Sequence, residues 1–409
     1  MTTGREEASR RDLASPLRGR RDLFDLPESV VYLDGNSLGA LPRAVPPRIA
    51  EVVASEWGRD LISSWNTAGW IDLPGRVGDR IARLVGLPAG SVWVGDSTSV
   101  SLFKTMVAAC RLRPGRDVLV VERATFPTDG YIAASVARML GLELRWADSA
   151  RVEDSFDDRV ALACLTHVDF RTGAAFDVAG VTAAVHDVGA LMLWDLCHTA
   201  GAVPVDLVTP AVDFAVGCTY KYLNAGPGSP AFMYAAPRHH EHIDQPLSGW
   251  MGHARPFDME LGYEPVPGVG RLASGTPPIL ALSALDAALD VFEGVHPEDL
   301  RATSLSLTDY FIELVDARLP DAFEVLTPRD HARRGSQVSL RHAEAYGVVQ
   351  ALIERRVVGD FRTPDVARFG FAPLYVTHED VYDAVEHLVA VMEGREHQRP
   401  AYTTRNPVT

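Results

Sequence analysis

Two lysines, Lys104 and Lys221, stand against 37 arginines in this chain of 409 residues. Arginine serves as well as lysine on a surface, but its guanidinium keeps its proton at physiological pH and does not attack a carbonyl carbon. A lysine kept among arginines can be kept for its amine. A compositional bias toward arginine would also spare an occasional lysine, so the count alone does not separate the two readings. Lys221 lies in Gly217-Cys218-Thr219-Tyr220-Lys221-Tyr222-Leu223-Asn224-Ala225-Gly226-Pro227-Gly228, after an apolar run and before a glycine-rich turn. An amine that condenses with an aldehyde cofactor would be placed there. Asp195, in Trp194-Asp195-Leu196-Cys197-His198, closes the preceding apolar run 26 positions earlier. A carboxylate at a buried strand end costs desolvation unless a cation pairs with it. It either caps a helix or faces a cationic ring nitrogen, and the lysine at the next strand end favours the second.

Two further segments carry candidate chemistry. Gly95-Asp96-Ser97-Thr98-Ser99-Val100-Ser101 opens a helix with hydroxyl-bearing residues. Free backbone N–H groups and the helix dipole make such a terminus receptive to a phosphate, although any helix wants a Ser or Thr cap. Phe126-Pro127-Thr128-Asp129 follows an apolar run and would set an aromatic face against a flat heterocycle, or be an ordinary loop. Lys104, one turn into the first of these helices, reads as a surface residue.

The elements that must hold these groups are legible as apolar runs. Residues 118–121, 160–165, 191–194 and 214–217 are continuously apolar, as in strands covered on both faces, and they alternate with helical patterns between about 92 and 235. That predicts a mostly parallel α/β sheet. Polar residues follow the runs directly: Thr166-His167, Asp195, and Thr219-Tyr220-Lys221. Ligand crevices of open α/β sheets lie beyond the carboxyl ends of the strands, so three strand ends aim at one edge. Residues 45–58 read as a helix opened by prolines and 279–296 as a long apolar-periodic helix. After about 300, segments 323–326, 337–340 and 366–369 alternate like strands with one wet face, among helices at 303–318, 344–355 and 378–393.

Composition excludes several classes. A net charge of −15 argues against a nucleic-acid backbone or an anionic membrane as partner, while leaving room for a locally positive pocket. No apolar run approaches the ~20 residues of a membrane span. The arginine-rich start has no apolar core and reads as a flexible arm rather than a secretory signal. Cys110, Cys164, Cys197 and Cys218 lie in apolar surroundings without metal-ligand spacing, which suits free thiols in a reducing cytoplasm.

Read together, the motifs resemble the kynureninase family. They are Tyr32-Leu33-Asp34-Gly35-Asn36-Ser37-Leu38-Gly39, Phe126-Pro127-Thr128-Asp129, His167-Val168-Asp169-Phe170-Arg171-Thr172-Gly173, Trp194 to His198, Gly217 to Asn224, Gly249-Trp250-Met251-Gly252-His253, and Arg368-Phe369-Gly370-Phe371-Ala372-Pro373-Leu374-Tyr375. They fall in family order from about residue 25 to 395. The resemblance implies a pyridoxal 5'-phosphate (PLP) enzyme of fold type I, in the aspartate aminotransferase superfamily: a transferase-like large domain with a mixed, mostly parallel sheet, and a smaller α+β C-terminal domain. It implies a cytoplasmic homodimer with shared active sites, hydrolysing L-kynurenine to anthranilate and L-alanine.

The same resemblance assigns roles. Lys221 would hold the cofactor covalently and then serve as base. Asp195 would face the pyridine nitrogen, helped by His198, and Phe126 would stack on the ring with Pro127, Thr128 and Asp129 around it. Ser97, Thr98 and Tyr220 would contact the phosphate, and Tyr220 would also carry a proton; Thr166 would be a further cofactor contact. Trp250 and Thr276 would reach the phosphate from the partner subunit. Arg368 would clamp the substrate's α-carboxylate, with Trp65 and Asn36 near the substrate. Gly275-Thr276-Pro277-Pro278 matches forms that prefer unsubstituted kynurenine over 3-hydroxykynurenine. No metal is implied.

The expected organisation is an arm at 1–25, a segment at 26–60 that packs with the small domain or covers the site, a large domain at 61–298, a small domain at 299–396 and a tail at 397–409. Rival readings are an aminotransferase of the same fold and a non-catalytic binding protein. A persulfide-forming cysteine desulfurase needs a reactive cysteine well after the lysine, and none follows Cys218.

Overall fold

The computed structural model describes residues 4–403 and 405; the expectations for the first three residues and for 404 and 406–409 lie outside the described residues. A seven-stranded sheet runs in the order Val92–Val94, Phe232–Ala235, Phe214–Gly217, Leu191–Asp195, Val160–Thr166, Val118–Glu122, Glu143–Ala147. Only Phe232–Ala235 runs against its neighbours; the pairs from Phe214–Gly217 outward are parallel. All four predicted apolar runs are strands of this sheet.

Successive side chains of a strand point to opposite faces. Leu119, Val121, Cys164 and Leu193 pack on one face with Leu102, Met106, Ala133 and Val136, from the helices Thr98–Arg111 and Pro127–Leu140. Val120, Ala163, Met192 and Trp194 join the larger core on the other face. Each fully buried aliphatic or aromatic side chain contributes about 1.5–3 kcal/mol against exposure. The central strands can therefore carry no unpaired charge until their carboxyl ends, where Asp195 stands.

A second, antiparallel sheet runs Asp360–Arg362, Val366–Gly370, Gln337–Arg341, Glu324–Val325. Residues 337–340 and 366–369 do not have the wet face that alternation suggested, whereas Glu324 in the short edge strand is exposed. Every residue of Val366–Gly370 is buried, because the sheet is covered by the helix Pro297–Arg318 on one side and lies against the lysine loop on the other. Tyr222 Oη donates to the Ser336 carbonyl at 2.9 Å. The segment before residue 60 lies beside this sheet: Val31–Tyr32 forms a separate two-stranded parallel sheet with Val357–Val358, and an isolated bridge ties it to the larger sheet, with Gly370 N–H donating to the Leu33 carbonyl at 2.7 Å.

Three local expectations need correction. The start of the chain is not a free arm: Arg5–Ala14 is a helix, with Ala8 fully buried. Asp12 accepts from the N–H groups of His378 at 2.7 Å and Glu379 at 3.0 Å, so it caps the helix His378–Glu393 from a distant part of the chain. The arginine count of this segment misled because Arg21 is also bound, to Asp380 at 2.6 Å. The proline-opened helix is α-helical only over Val45–Glu51 and becomes π-helical over Val52–Trp57. Lys104 is fully buried rather than exposed: its Nζ donates to Asp96 at 2.5 Å and to the Leu272 carbonyl at 2.8 Å.

Candidate active site

Lys221 follows the strand Phe214–Gly217 on a tightly tied loop. Thr219 Oγ1 lies 2.7 Å from Ser229 Oγ and donates to the Pro230 carbonyl at 2.6 Å. Asn224 takes a positive φ of 59° and its side chain donates to the Tyr222 carbonyl. Gly39 N–H donates to the Tyr220 carbonyl at 2.7 Å. A Cβ at Gly39 would sit 2.3 Å from the Lys221 carbonyl oxygen, so only glycine permits this approach.

The Lys221 amine lies 3.0 Å from His198 Nε2 and 6.0 Å from the centre of the Phe126 ring. One cavity is lined by Lys221, Tyr220, Asp195, His198, Asp129, Thr128, Phe126, Thr166 and Thr98. The parallel pairing of Val160–Thr166, Leu191–Asp195 and Phe214–Gly217 sets Thr166 opposite Asp195, with Lys221 beyond the next strand. Lysine and aspartate thus share the space their spacing predicted.

Electrostatically the cavity holds surplus acid. Asp195 accepts from Cys197 N–H at 2.7 Å. Asp129 accepts from Thr125 Oγ1 at 3.0 Å and Thr166 Oγ1 at 3.3 Å. Burial, and then the charge of Asp195, push the Asp129 carboxyl well above the usual range. His198 is driven the other way, by burial and then by the charges of Lys221, Arg368 and Arg362, and is neutral. Burial keeps the Tyr220 hydroxyl protonated as a donor.

These observations test the fit of a PLP-like group. Asp195 and Asp129 lie side by side, and neither has an ion-pair partner among the described residues, which suits a protonated ring nitrogen. His198 Nδ1 is buried without a partner among the described residues. Thr98 and Ser99 bring the first turn of the helix Thr98–Arg111 to the cavity, where N–H groups lack intrahelical acceptors. The residues fit.

Not every predicted residue reaches this cavity. Ser97 does not line it; its hydroxyl caps the helix by accepting from Val100 N–H at 3.4 Å, and Ser99 faces the cavity instead. Pro127 begins the helix that carries Thr128 and Asp129. Trp65 stands edge-on to Trp70 at 5.9 Å, away from Lys221. Trp250 packs on Phe257 and Thr276 is exposed, both outside the cavity of this chain.

Arg368 lies behind Phe170, which lines the cavity, and its donors are engaged. Its Nε donates to Asp360 Oδ1 at 2.8 Å, its Nη1 to the Phe170 carbonyl at 2.6 Å, and its Nη2 to Ser37 at 2.8 Å and to Asp360 Oδ2. Arg362 binds the same Asp360 at 2.6 Å. Burial, and then the charge of Asp360, push Asp34 up to about 8. With Asp34 protonated, two guanidinium groups face one carboxylate, a net positive cluster suited to an incoming anion. Asn36 is fully buried beside it, with neither amide atom partnered among the described residues.

Sequence reasoning missed Asp360 and Arg362, which no motif marked, and it passed over Ser99, Phe170 and Cys197, which lay inside quoted motifs.

This architecture is that of PLP-dependent enzymes of fold type I. The chain is similar to the cysteine desulfurase CsdA from Escherichia coli, with a TM-score of 0.77 and 20% identity over 91% of this chain and 97% of that one. It is also similar to the cystine C–S lyase C-DES, with a TM-score of 0.77 and 17% identity over 88% of this chain and 98% of that one. A family model, the kynureninase C-terminal domain, matches residues 300–388. Kynureninase of Burkholderia pseudomallei (strain 1106a) is 49% identical over 99% of both chains. Kynureninase of Pseudomonas fluorescens is 48% identical over the full length of both. The chain belongs to the kynureninase family, a family of PLP-dependent hydrolases.

Proposed function

We propose that this chain hydrolyses L-kynurenine between its β- and γ-carbons, releasing anthranilate and L-alanine, with PLP held by Lys221. The observation that carries this reading is that Lys221 lines one cavity with Asp195 and Asp129, a half-buried amine facing buried acid across a space flanked by Phe126.

PLP, when bound, supplies an aldehyde for amines and a ring that withdraws electrons from the substrate's α-carbon. The chain's own residues do the rest. Asp195, with Asp129 beside it, would keep a proton on the ring nitrogen; Phe126 would lie against the ring; Thr98, Ser99 and Tyr220 would hold the phosphate. Once displaced by the substrate amine, Lys221 is a free base that takes the α-proton. Its neighbour His198 is neutral and does not compete for that proton. Tyr220 donates and recovers a proton near the leaving carbon. Water oxygen ends in the aryl carboxylate and hydrogen on the alanine methyl. Arg368 and Arg362 hold the α-carboxylate, which shares or replaces Asp360 as acceptor.

The active form is a homodimer in the cytoplasm, with residues 61–298 and 299–396 as its large and small domains. An apolar groove lined by Val52, Trp57, Trp70, Ile279 and Leu280, of which Trp57 and Leu280 are exposed, lies next to exposed Thr276 and supports burial against a second copy. That contact would carry Trp250 and Thr276 to the partner's phosphate, and Trp65 toward a substrate ring. Four buried free thiols suit a reducing compartment, and among the described residues no helix is long and apolar enough to cross a membrane. Gly275-Thr276-Pro277-Pro278 favours kynurenine over its 3-hydroxy derivative.

The test is product analysis with purified protein and L-kynurenine. Anthranilate and alanine in equal amounts support the reading; a keto acid in their place would establish transamination instead.

A further inference from the structure

Apart from the Lys221 cavity, a second cleft has a volume of about 910 Å³, within the ~300–1,000 Å³ range of small-molecule sites. It opens beside the carboxyl end of the strand Val118–Glu122 and shares no lining residue with the Lys221 cavity. Much of its wall is apolar, built from Val152, Phe176, Val178 and Pro204.

Its charge is one-sided. Five carboxylates line it: Glu122, Glu153, Asp169, Asp177 and Asp206. Arg333, exposed on the rim, is the single arginine among the lining residues, and no lysine joins it. His167 also lines the cleft, but burial pulls it down to about 4, so it adds no positive charge at neutral pH. Three of the acids are spent on the backbone. Asp169 accepts from Thr172 N–H, Asp177 from Ala179 N–H and Asp206 from Val208 N–H.

Glu122 differs from these three. It is 2% exposed, its Oε1 accepts from Ser149 Oγ, and its Oε2 has no partner among the described residues. A buried acceptor left unsatisfied costs about 1–3 kcal/mol, a cost that a donor or cation paired with this carboxyl would offset. Burial pushes the Glu122 carboxyl up to about 7, against the Ser149 bond and with help from Asp169. An approaching cation would ionise it. A bare metal ion does not fit, since no group of three ligating side chains converges among the described residues.

We propose that this cleft is a second ligand site, which takes a small organic cation with an apolar body, whose N–H the Glu122 carboxyl accepts by turning toward the cleft. Nothing in this site depends on the reaction proposed above.

The probe is N,N-dimethylbenzylammonium, whose tertiary nitrogen keeps one N–H donor but cannot condense with an aldehyde. Its binding to the holoenzyme is measured by titration calorimetry. Wild type should bind one equivalent per chain saturably. Glu122→Gln, which keeps shape but loses the charge, should weaken binding by roughly tenfold or more, the loss of a charge-assisted hydrogen bond. Ala150→Trp, on an exposed lining position, should block it while leaving the core intact. Wild-type affinity in either variant, or no saturable binding to the wild-type holoenzyme, overturns the proposal.

Discussion

Arg368 and Asp360 meet across two neighbouring strands, with Arg368 Nε 2.8 Å from Asp360 Oδ1 and Nη2 on the other oxygen. The guanidinium assigned to a substrate carboxylate already has a carboxylate. Asp360 fixes the plane and direction of Arg368, and Asp34, protonated nearby, leaves the cluster one positive charge in excess.

Arg368→Lys should therefore raise KM for L-kynurenine by tenfold or more with a smaller change in kcat, because an ammonium cannot replace a planar two-donor fork. Asp360→Ala should cost stability, about 3–5 kcal/mol, since it strands the buried Arg368 guanidinium and takes the partner of half-buried Arg362 as well. Steady-state kinetics and thermal unfolding check the pair. An unchanged KM in Arg368→Lys would remove this residue from substrate binding.

Asp195→Asn removes the charge that faces the ring nitrogen. We expect kcat to fall on the order of a hundredfold or more, within the range of lost general-acid or electrostatic assistance, with the fold intact by circular dichroism. The Asp129 carboxyl should also move down in this variant, having lost its like-charged neighbour, and infrared difference spectra of the carboxyl band would report it.

Gly39→Ala should abolish most activity without unfolding the protein. The added Cβ would press to 2.3 Å from the Lys221 carbonyl oxygen and shift the lysine loop. Wild-type kcat in this variant would mean that the loop is not held from that side.

Acid should destabilise the fold partly through Asp213. Burial alone would raise its carboxyl, but hydrogen bonds from His186, His239 and Met192 N–H, with the charge of Arg238, override it and hold it far below the ordinary range. A depressed folded pKa adds stability that is fully present above the unfolded value near ~3.9 and is lost as pH falls through the folded value. Asp213→Asn should thus lower Tm at neutral pH and narrow the gap between Tm at neutral and acid pH. An unchanged gap would show that other carboxylates govern acid unfolding.

Much of the site was legible because catalysis here is built at strand ends. Continuous apolar runs marked the strands, and Asp195 and Lys221 stood out as the polar residues that close them. The residues that escaped are those whose role depends on distant pairing. Lys104 looked like a surface cation because nothing local announces that Leu272 will supply a carbonyl 168 positions away. Asp12 gave no sign that it would cap a helix beginning at His378. Asp360 lies in a short strand whose partner, Arg368, faces it only after the hairpin closes. Ser97 and Ser99 differ by two positions in a run of hydroxyls, and only the direction of the first helical turn decides which caps and which faces the cavity.

The central claim is that the amine of Lys221, and not the other lysine, holds the cofactor. With two lysines in the chain, borohydride reduction of the PLP-loaded protein followed by peptide mass mapping gives an unambiguous answer. The account predicts a single modified peptide, carrying the label on Lys221. Label on Lys104, or none on either lysine, would contradict it.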